Sequence, residues 1–284
     1  MDGTLPGWVV QEVVARALAE DVGPGDVTTL ATVGETSQCT AEVVAKADGV
    51  IAGLAVAQAT FAAVDPRVTS EAVAADGDRV KAGSVVARVQ GPTRAVLTAE
   101  RTALNFLQRM SGIATLTARY VSAVEGTTAL ICDTRKTVPG LRLLDKYSVR
   151  VGGGENHRTG LFDGVLIKDN HIRAAGGLRE AVERARRSAH HLAKIEVEAQ
   201  SLPQVEEALT AGADVIMLDN LGLAEIRRAV NLIGGRCLVE ASGGVTLETV
   251  RELAECGVDL ISVGALTHSS AALDLSLEIR DTAG

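Results

Sequence analysis

Five short apolar runs in the second half of the chain each lead into a charged residue. Leu130-Ile131-Cys132 runs into Asp133, Val165-Leu166-Ile167 into Lys168, Ile195-Glu196-Val197 into Glu198, Val215-Ile216-Met217-Leu218 into Asp219, and Leu238-Val239 into Glu240. Where parallel strands alternate with helices in a barrel, the loops after the strands form one mouth, and reactive side chains stand at the strand ends. Charges also mark, more simply, where strands leave a core. That accounts for one or two of the five and poorly for all of them, so a shared site is the favoured reading. Residues 133–173 add eight Lys or Arg against five Asp or Glu, with His157 and His171, in a chain of net charge −8. The cations fall in Thr134-Arg135-Lys136-Thr137 and beside Gly152-Gly153-Gly154, loop-like places that also expose backbone N–H groups. Arg grips planar carboxylates through a two-pronged fork and Lys acts as a point charge. The window therefore suits a ligand with several carboxylates, or a phosphate plus carboxylates; the alternative is a solvated charged face.

Ser242-Gly243-Gly244 and Val263-Gly264-Ala265 follow the last two apolar runs. Glycine lets a backbone approach a phosphate closely, and the loops after the late strands are the usual phosphate site of such a barrel, although glycine also serves ordinary turns. Glu198 and Asp219 would face the cations. They suit ribose hydroxyls, a Mg²⁺ ion or a developing ribosyl cation, or else they are ion-pair partners of Arg135 or Lys168. Together the residues describe a ligand bearing phosphate, ribose and carboxylates.

These side chains need elements to position them. Leu260-Ile261-Ser262-Val263-Gly264 is a sixth apolar run, and helix-like segments at 202–211 and 247–256 lie between the later runs. Strand–helix alternation at this spacing predicts parallel βαβ units. Six of them predict an α/β barrel, with an open sheet as the alternative, although the Gly-x-Gly-x-x-Gly fingerprint is absent. The first 110 residues mix helices and short strands. Residues 9–18 have helical spacing, 41–45 and 85–89 alternate like strands, 50–64 reads as a buried helix, and Thr98 is placed to cap a helix running to Met110.

Composition excludes several classes. Aromatic residues make up 2%, too few to build stacking platforms for bases, and the net acidity disfavours nucleic acid and anionic membrane. The four cysteines are dispersed, with no Cys-x-x-Cys pair, which predicts free thiols in a reducing compartment. The longest apolar stretch is too short to span a bilayer, and Met1-Asp2-Gly3 lacks the start of a signal peptide. A cytoplasmic protein is expected.

The string Asp133-Thr-Arg-Lys-Thr-Val-Pro-Gly-Leu-Arg142 with Lys146-Tyr147 closely resembles the quinolinate phosphoribosyltransferase (decarboxylating) family, the nicotinate-nucleotide pyrophosphorylases. So do Gly152-Gly-Gly-Glu-Asn-His-Arg158, Leu166-Ile-Lys-Asp-Asn-His171 and Leu218-Asp-Asn220. Glu20-Asp21, Gly25-Asp26-Val27-Thr28-Thr29, Glu100-Arg101 and Ser111-Gly112-Ile113-Ala114-Thr115 match as well, so the resemblance runs in order over about residues 18–275. Glu155 is a mild departure. The resemblance implies an N-terminal α/β sandwich domain (1–110, completed by 268–284) and a C-terminal open α/β barrel of about six or seven parallel strands (111–267). It implies a homodimer in which Arg101 is donated across the interface.

By the same resemblance, Thr134, Arg135, Lys136, His157, Arg158 and Lys168 bind quinolinate and the phosphate side, with Lys136, Lys168, Glu198 and Asp219 as catalytic residues. Glu198 and Asp219 face ribose and Mg²⁺, held mainly through substrate and water. Ser242, Gly243, Gly244, Val263, Gly264 and Ala265 hold phosphate. The reaction implied joins quinolinate and phosphoribosyl pyrophosphate, with loss of CO₂, to give nicotinate mononucleotide for NAD biosynthesis. Three alternatives stay open: a Schiff-base aldolase-like barrel enzyme using Lys168, a phosphoribosyltransferase paralogue with a changed substrate, and a non-enzymatic phosphate-binding protein.

Overall fold

Alternating and helical apolar patterns resolve into twelve strands and eleven helices among the described residues, 4–283, of a computed structural model. The opening tripeptide read above for a leader lies outside them. In chain order the elements are α1 (Gly7–Asp21), α2 (Val27–Thr32), β1 (Gln38–Ala45), β2 (Gly49–Val50), α3 (Leu54–Val64), β3 (Thr69–Ala72), β4 (Arg79–Val80), β5 (Val85–Pro92), α4 (Thr93–Ala123) and β6 (Leu130–Cys132). There follow α5 (Arg142–Val151), β7 (Val165–Ile167), α6 (Asp169–Ala175), α7 (Leu178–Ser188), β8 (Ile195–Ala199), α8 (Leu202–Thr210), β9 (Val215–Asp219), α9 (Leu223–Ile233), β10 (Leu238–Ser242), α10 (Val250–Ala254), β11 (Leu260–Ser262), α11 (Ala265–His268) and β12 (Leu275–Ala283). They form two units. One runs to Ala118 and takes in Thr137–Gly153 and the chain from Leu266; the other comprises Arg119–Lys136 and Gly154–Ala265.

The first unit is built on a four-stranded antiparallel sheet in the order β12-β1-β5-β3. Alternate residues of β1 and β5, such as Ala41, Val43 and Val89, join Phe61, Val96, Leu107 and Leu275 in one apolar core. Small aliphatic residues fill it because few aromatics are available. The helix expected over 50–64 begins only at Leu54, because Gly53 takes a left-handed φ of 100° and breaks the chain after β2. Thr98 caps nothing: α4 already starts at Thr93 and continues to Ala123, so the domain boundary expected at residue 110 falls inside a helix. Gly112 does not end that helix. It sits where the chain at Ala271 crosses, and a Cβ there would meet the Ala271 carbonyl oxygen at 2.1 Å. Neighbouring polar residues of the same motif serve structure too: Ser111 Oγ accepts from Ala52 N–H at 3.0 Å and Thr115 Oγ1 from Val50 N–H at 2.8 Å.

The second unit carries a six-stranded parallel sheet in the order β6-β11-β10-β9-β8-β7. Sequential strands are neighbours, and β11 returns to β6, so the sheet curls into a barrel. It stays open between β6 and β7. There the backbone of Glu155 bridges, its N–H donating to Ile131 O at 2.8 Å and its carbonyl accepting from Asp133 N–H at 3.1 Å. Because strand side chains alternate, Ile195, Val197 and Ala199 occupy one buried face of β8 and Glu196 and Glu198 the other. No helix of the described residues is long and apolar enough to cross a membrane.

Candidate active site

The polar faces of the barrel strands meet at a cavity of about 510 Å³, within the range of small-ligand pockets. Period-two alternation puts Leu166 and Lys168 of the β7 end, Met217 and Asp219 of β9, Glu240 and Ser242 of β10, and Ser262 of β11 on its wall. Thr134, Arg135 and Lys136 enter from the loop after β6, His157 and Arg158 from the loop before β7, and Gly243 and Gly244 from the turn after β10. Ten of the expected site residues thus line one cavity.

The others are placed differently. Glu198 is reached through Lys168, whose Nζ donates to Glu198 Oε2 at 2.7 Å; the ion-pair alternative is therefore realised, with Lys168 as the partner. Val263, Gly264 and Ala265 do not line the cavity. Val263 is buried, and its N–H donates to Cys132 O at 2.9 Å. Arg101 is exposed on α4 of the other unit. The basic window is divided between the two units: Arg142, Lys146 and Arg150 lie on α5 of the first unit.

Asp133, fully buried, is with Glu198 one of the two run-ending charges that do not line the cavity. It accepts from Asn156 Nδ2 at 2.6 Å and from the His157 N–H at 2.9 Å, so it pins the loop that carries His157 and Arg158. His157 is held on both sides. Its Nδ1 accepts the Arg158 N–H at 2.8 Å, which assigns the ring hydrogen to Nε2, facing Glu196 Oε2 at 2.9 Å and Glu240 Oε2 at 3.7 Å. These three side chains could also hold a metal ion, since their donor atoms lie within 4.8 Å of one another. A proton accounts for them as well. Burial, then the charge of Glu196, pushes the Glu240 carboxyl up to about 8, and a protonated Glu240 can donate to Glu196. Sequence reading missed Glu196 as a site residue, although its place two residues before Glu198 on a strand was the signal.

Arg158 shows what this end of the cavity demands. Burial, and after it the like charge of Arg135, lowers the Arg158 guanidinium below its ordinary range. Its Nε is buried without an acceptor, while Nη1 donates to Gly164 O at 3.0 Å. Two neighbouring guanidinium groups in a partly desolvated wall are relieved by an anion. Asp219, on the same cavity, accepts from Asn220 Nδ2 at 3.1 Å and more weakly from Gln200 Nε2 at 3.4 Å.

The same arrangement has relatives. The family model "Quinolinate phosphoribosyl transferase, C-terminal domain" matches residues 113–278, and the corresponding N-terminal domain matches residues 26–111. The chain belongs to the quinolinate phosphoribosyl transferase family. Within that family it is 48% identical over 270 residues to a probable nicotinate-nucleotide pyrophosphorylase (carboxylating) of Bacillus subtilis, covering 95% of this chain and 93% of the relative. It is 45% identical over 293 residues to quinolinate phosphoribosyltransferase (decarboxylating) 1b of Nicotiana tabacum, covering 96% and 83%. The crystal structure of NadC from Streptococcus pyogenes superimposes with a TM-score of 0.93 at 43% identity, covering 98% of this chain and 99% of that one. The nicotinate-nucleotide pyrophosphorylase of Francisella tularensis gives 0.94 at 38% identity, covering 98% of each. The family's open α/β barrel is the architecture found here.

Proposed function

We propose that this chain transfers the phosphoribosyl group of phosphoribosyl pyrophosphate to the ring nitrogen of quinolinate, releasing pyrophosphate and CO₂ and forming nicotinate mononucleotide. One observation carries the reading: Arg135, Arg158, Lys168 and Asp219 line one cavity together with the Ser242-Gly243-Gly244 turn. The cations suit the adjacent carboxylates of quinolinate, and the Ser242 to Gly244 turn suits a phosphate. The names of the relatives support the same pair of substrates.

The ring nitrogen displaces pyrophosphate at ribosyl C1 with oxocarbenium character, so catalysis rests on positioning and charge stabilisation. Arg135 and Arg158 orient quinolinate by its carboxylates, and His157, engaged at both ring nitrogens, holds the Arg158 backbone in place. Glu198, held by Lys168, and Asp219 offset positive charge developing on the ribose. Lys136, exposed at the cavity edge, meets the leaving pyrophosphate. Once the ring is quaternised it accepts the electron pair of the breaking C–C bond, CO₂ leaves, and the ring carbon left as an ylide takes up a proton from solvent to give the product. Asp219 and Glu198 offer the hard oxygens a Mg²⁺ ion prefers. Because Lys168 already holds Glu198 Oε2, Asp219 is the better-fitted ligand; when bound, the ion would neutralise pyrophosphate charge. The same contact disfavours a Schiff base at Lys168, since its Nζ is already engaged by Glu198. A homodimer with Arg101 reaching the partner's site, and a cytoplasmic location, complete the proposal.

The test is release of labelled CO₂ from carboxyl-labelled quinolinate, with phosphoribosyl pyrophosphate and Mg²⁺ both required. Product from nicotinate without decarboxylation would reject the assignment, and borohydride trapping of substrate at Lys168 would favour the aldolase alternative.

A further inference from the structure

Asn220 is the only residue other than glycine with positive φ (56°) among the described residues, a conformation that costs energy and persists where surroundings enforce it. Three contacts enforce it. Its N–H donates to Ser242 O at 3.0 Å, its Nδ2 donates to Asp219 Oδ2 at 3.1 Å, and its Oδ1 lies where a Cβ on Gly243 would come within 2.2 Å. Asn220 also lines the cavity. One residue thus ties the end of β9 to the turn after β10, whose last residues already pair as Asp219 with Ser242. Gln200 Nε2 approaches the same Asp219 oxygen, Oδ2, at 3.4 Å. Both amides address Oδ2, so Oδ1 is left to face a ligand.

We propose that Asn220 is a positioning residue that fixes which oxygen of Asp219 faces the ribosyl end of the ligand and keeps that carboxylate in register with the Ser242 to Gly244 phosphate turn. It acts through Asp219 and Gly243 rather than on the reacting atoms. The inference rests on the reading of this cavity as a phosphoribosyl site. It also explains Gly243, where any side chain would strike the Asn220 amide.

Asn220→Gly separates the two roles the residue could play. Glycine adopts the same φ without strain, so a purely conformational role predicts an unchanged or improved protein. Loss of the amide predicts a ribosyl defect. The measurements are calorimetric affinity for ribose 5-phosphate in the presence of a chelator, calorimetric affinity for quinolinate, and KM for phosphoribosyl pyrophosphate. Expected for Asn220→Gly are a roughly tenfold loss of ribose 5-phosphate affinity, worth about 1.4 kcal/mol, a matching rise in KM, and quinolinate affinity within about twofold of wild type. Asn220→Asp, which sets a second carboxylate beside Asp219, is expected to lose more. Gln200→Ala, at an exposed position, is expected to shift the same parameters in the same direction by less, and it carries the test should Asn220→Gly fail to fold. Unchanged ribose 5-phosphate affinity, or equal losses for both ligands, overturns the inference. A wild-type chain that binds ribose 5-phosphate but releases no CO₂ from quinolinate rejects the reaction while leaving the role of Asn220 standing.

Discussion

Lys168 Nζ and Glu198 Oε2 stand 2.7 Å apart at the ends of adjacent strands, β7 and β8, with the lysine half-exposed and the carboxylate buried. The pair fixes the orientation of Glu198. Removing the lysine strands a buried carboxylate, but solvent at the lysine discounts the stability loss to about 1 kcal/mol. Turnover is expected to fall on the order of 100-fold in Lys168→Ala. Glu198→Ala is expected to lower kcat more than quinolinate affinity. Steady-state kinetics with calorimetric quinolinate titration check this, and a variant that loses affinity while keeping kcat would contradict it.

Arg158→Ala removes a fork that has a buried Nε without an acceptor. A lost charge-assisted hydrogen bond is worth about 1.5–3 kcal/mol, so quinolinate should bind roughly ten- to hundredfold more weakly. Arg158→Lys restores charge but not the planar fork and should recover little. Calorimetry on the free protein reads both, and wild-type affinity in either variant would remove Arg158 from the quinolinate site.

Glu240 gives a pH dependence with a definite sign. Its carboxyl is pushed up to about 8 in the folded chain, first by burial and then by Glu196, against about 4.3 when unfolded. Between these values the folded state holds a proton that the unfolded state has lost, so stability is full below the lower value and declines as pH rises towards the upper one. Glu240→Gln carries no such proton. Thermal denaturation between pH 5 and pH 9, about the window set by these two values, should show the midpoint of wild type falling with pH and a flatter profile in the variant. Parallel profiles would show that Glu240 does not hold the proton.

Gly112→Ala pits two effects against each other. Alanine in a helix interior gains about 1 kcal/mol in propensity over glycine. The added Cβ would lie 2.1 Å from the Ala271 carbonyl oxygen, and forcing backbone apart costs roughly 1–3 kcal/mol or more. The clash should win and lower the melting temperature. Gly7→Ala, with nothing within 4 Å of the new methyl, is the matched control and should be neutral or slightly stabilising.

Much of this was legible in the chain because strand periodicity carries direction as well as element type. With Glu198, Asp219 and Glu240 at the ends of apolar runs, alternation puts Glu196, Met217 and Ser242 on the same faces as these, a step the expectations did not take for Glu196 and Met217. Asp133 broke that rule for a reason no periodicity encodes: it turns to bind the backbone of a loop some twenty residues on. A charge count over the basic window does not record to which unit each residue belongs. Residues 137–153 leave the barrel's unit, taking Arg142, Lys146 and Arg150 with them. Thr98 resembled a cap because a Thr before an acidic residue is a local signal, whereas the start of α4 at Thr93 follows directly from the end of β5. Asn220 was visible within a motif, but its left-handed backbone, the feature that gives it a task, is a property of the folded turn.

The gap in the barrel has a colloidal consequence. An unclosed sheet offers two unpaired strand margins, which in other settings recruit strands from neighbouring molecules. Here both margins are three residues long, Leu130–Cys132 and Val165–Ile167, and Glu155 already occupies the backbone groups of the first. Margins this brief give an incoming strand too few hydrogen bonds to hold, so the barrel can remain unsealed without seeding fibres or amorphous precipitate.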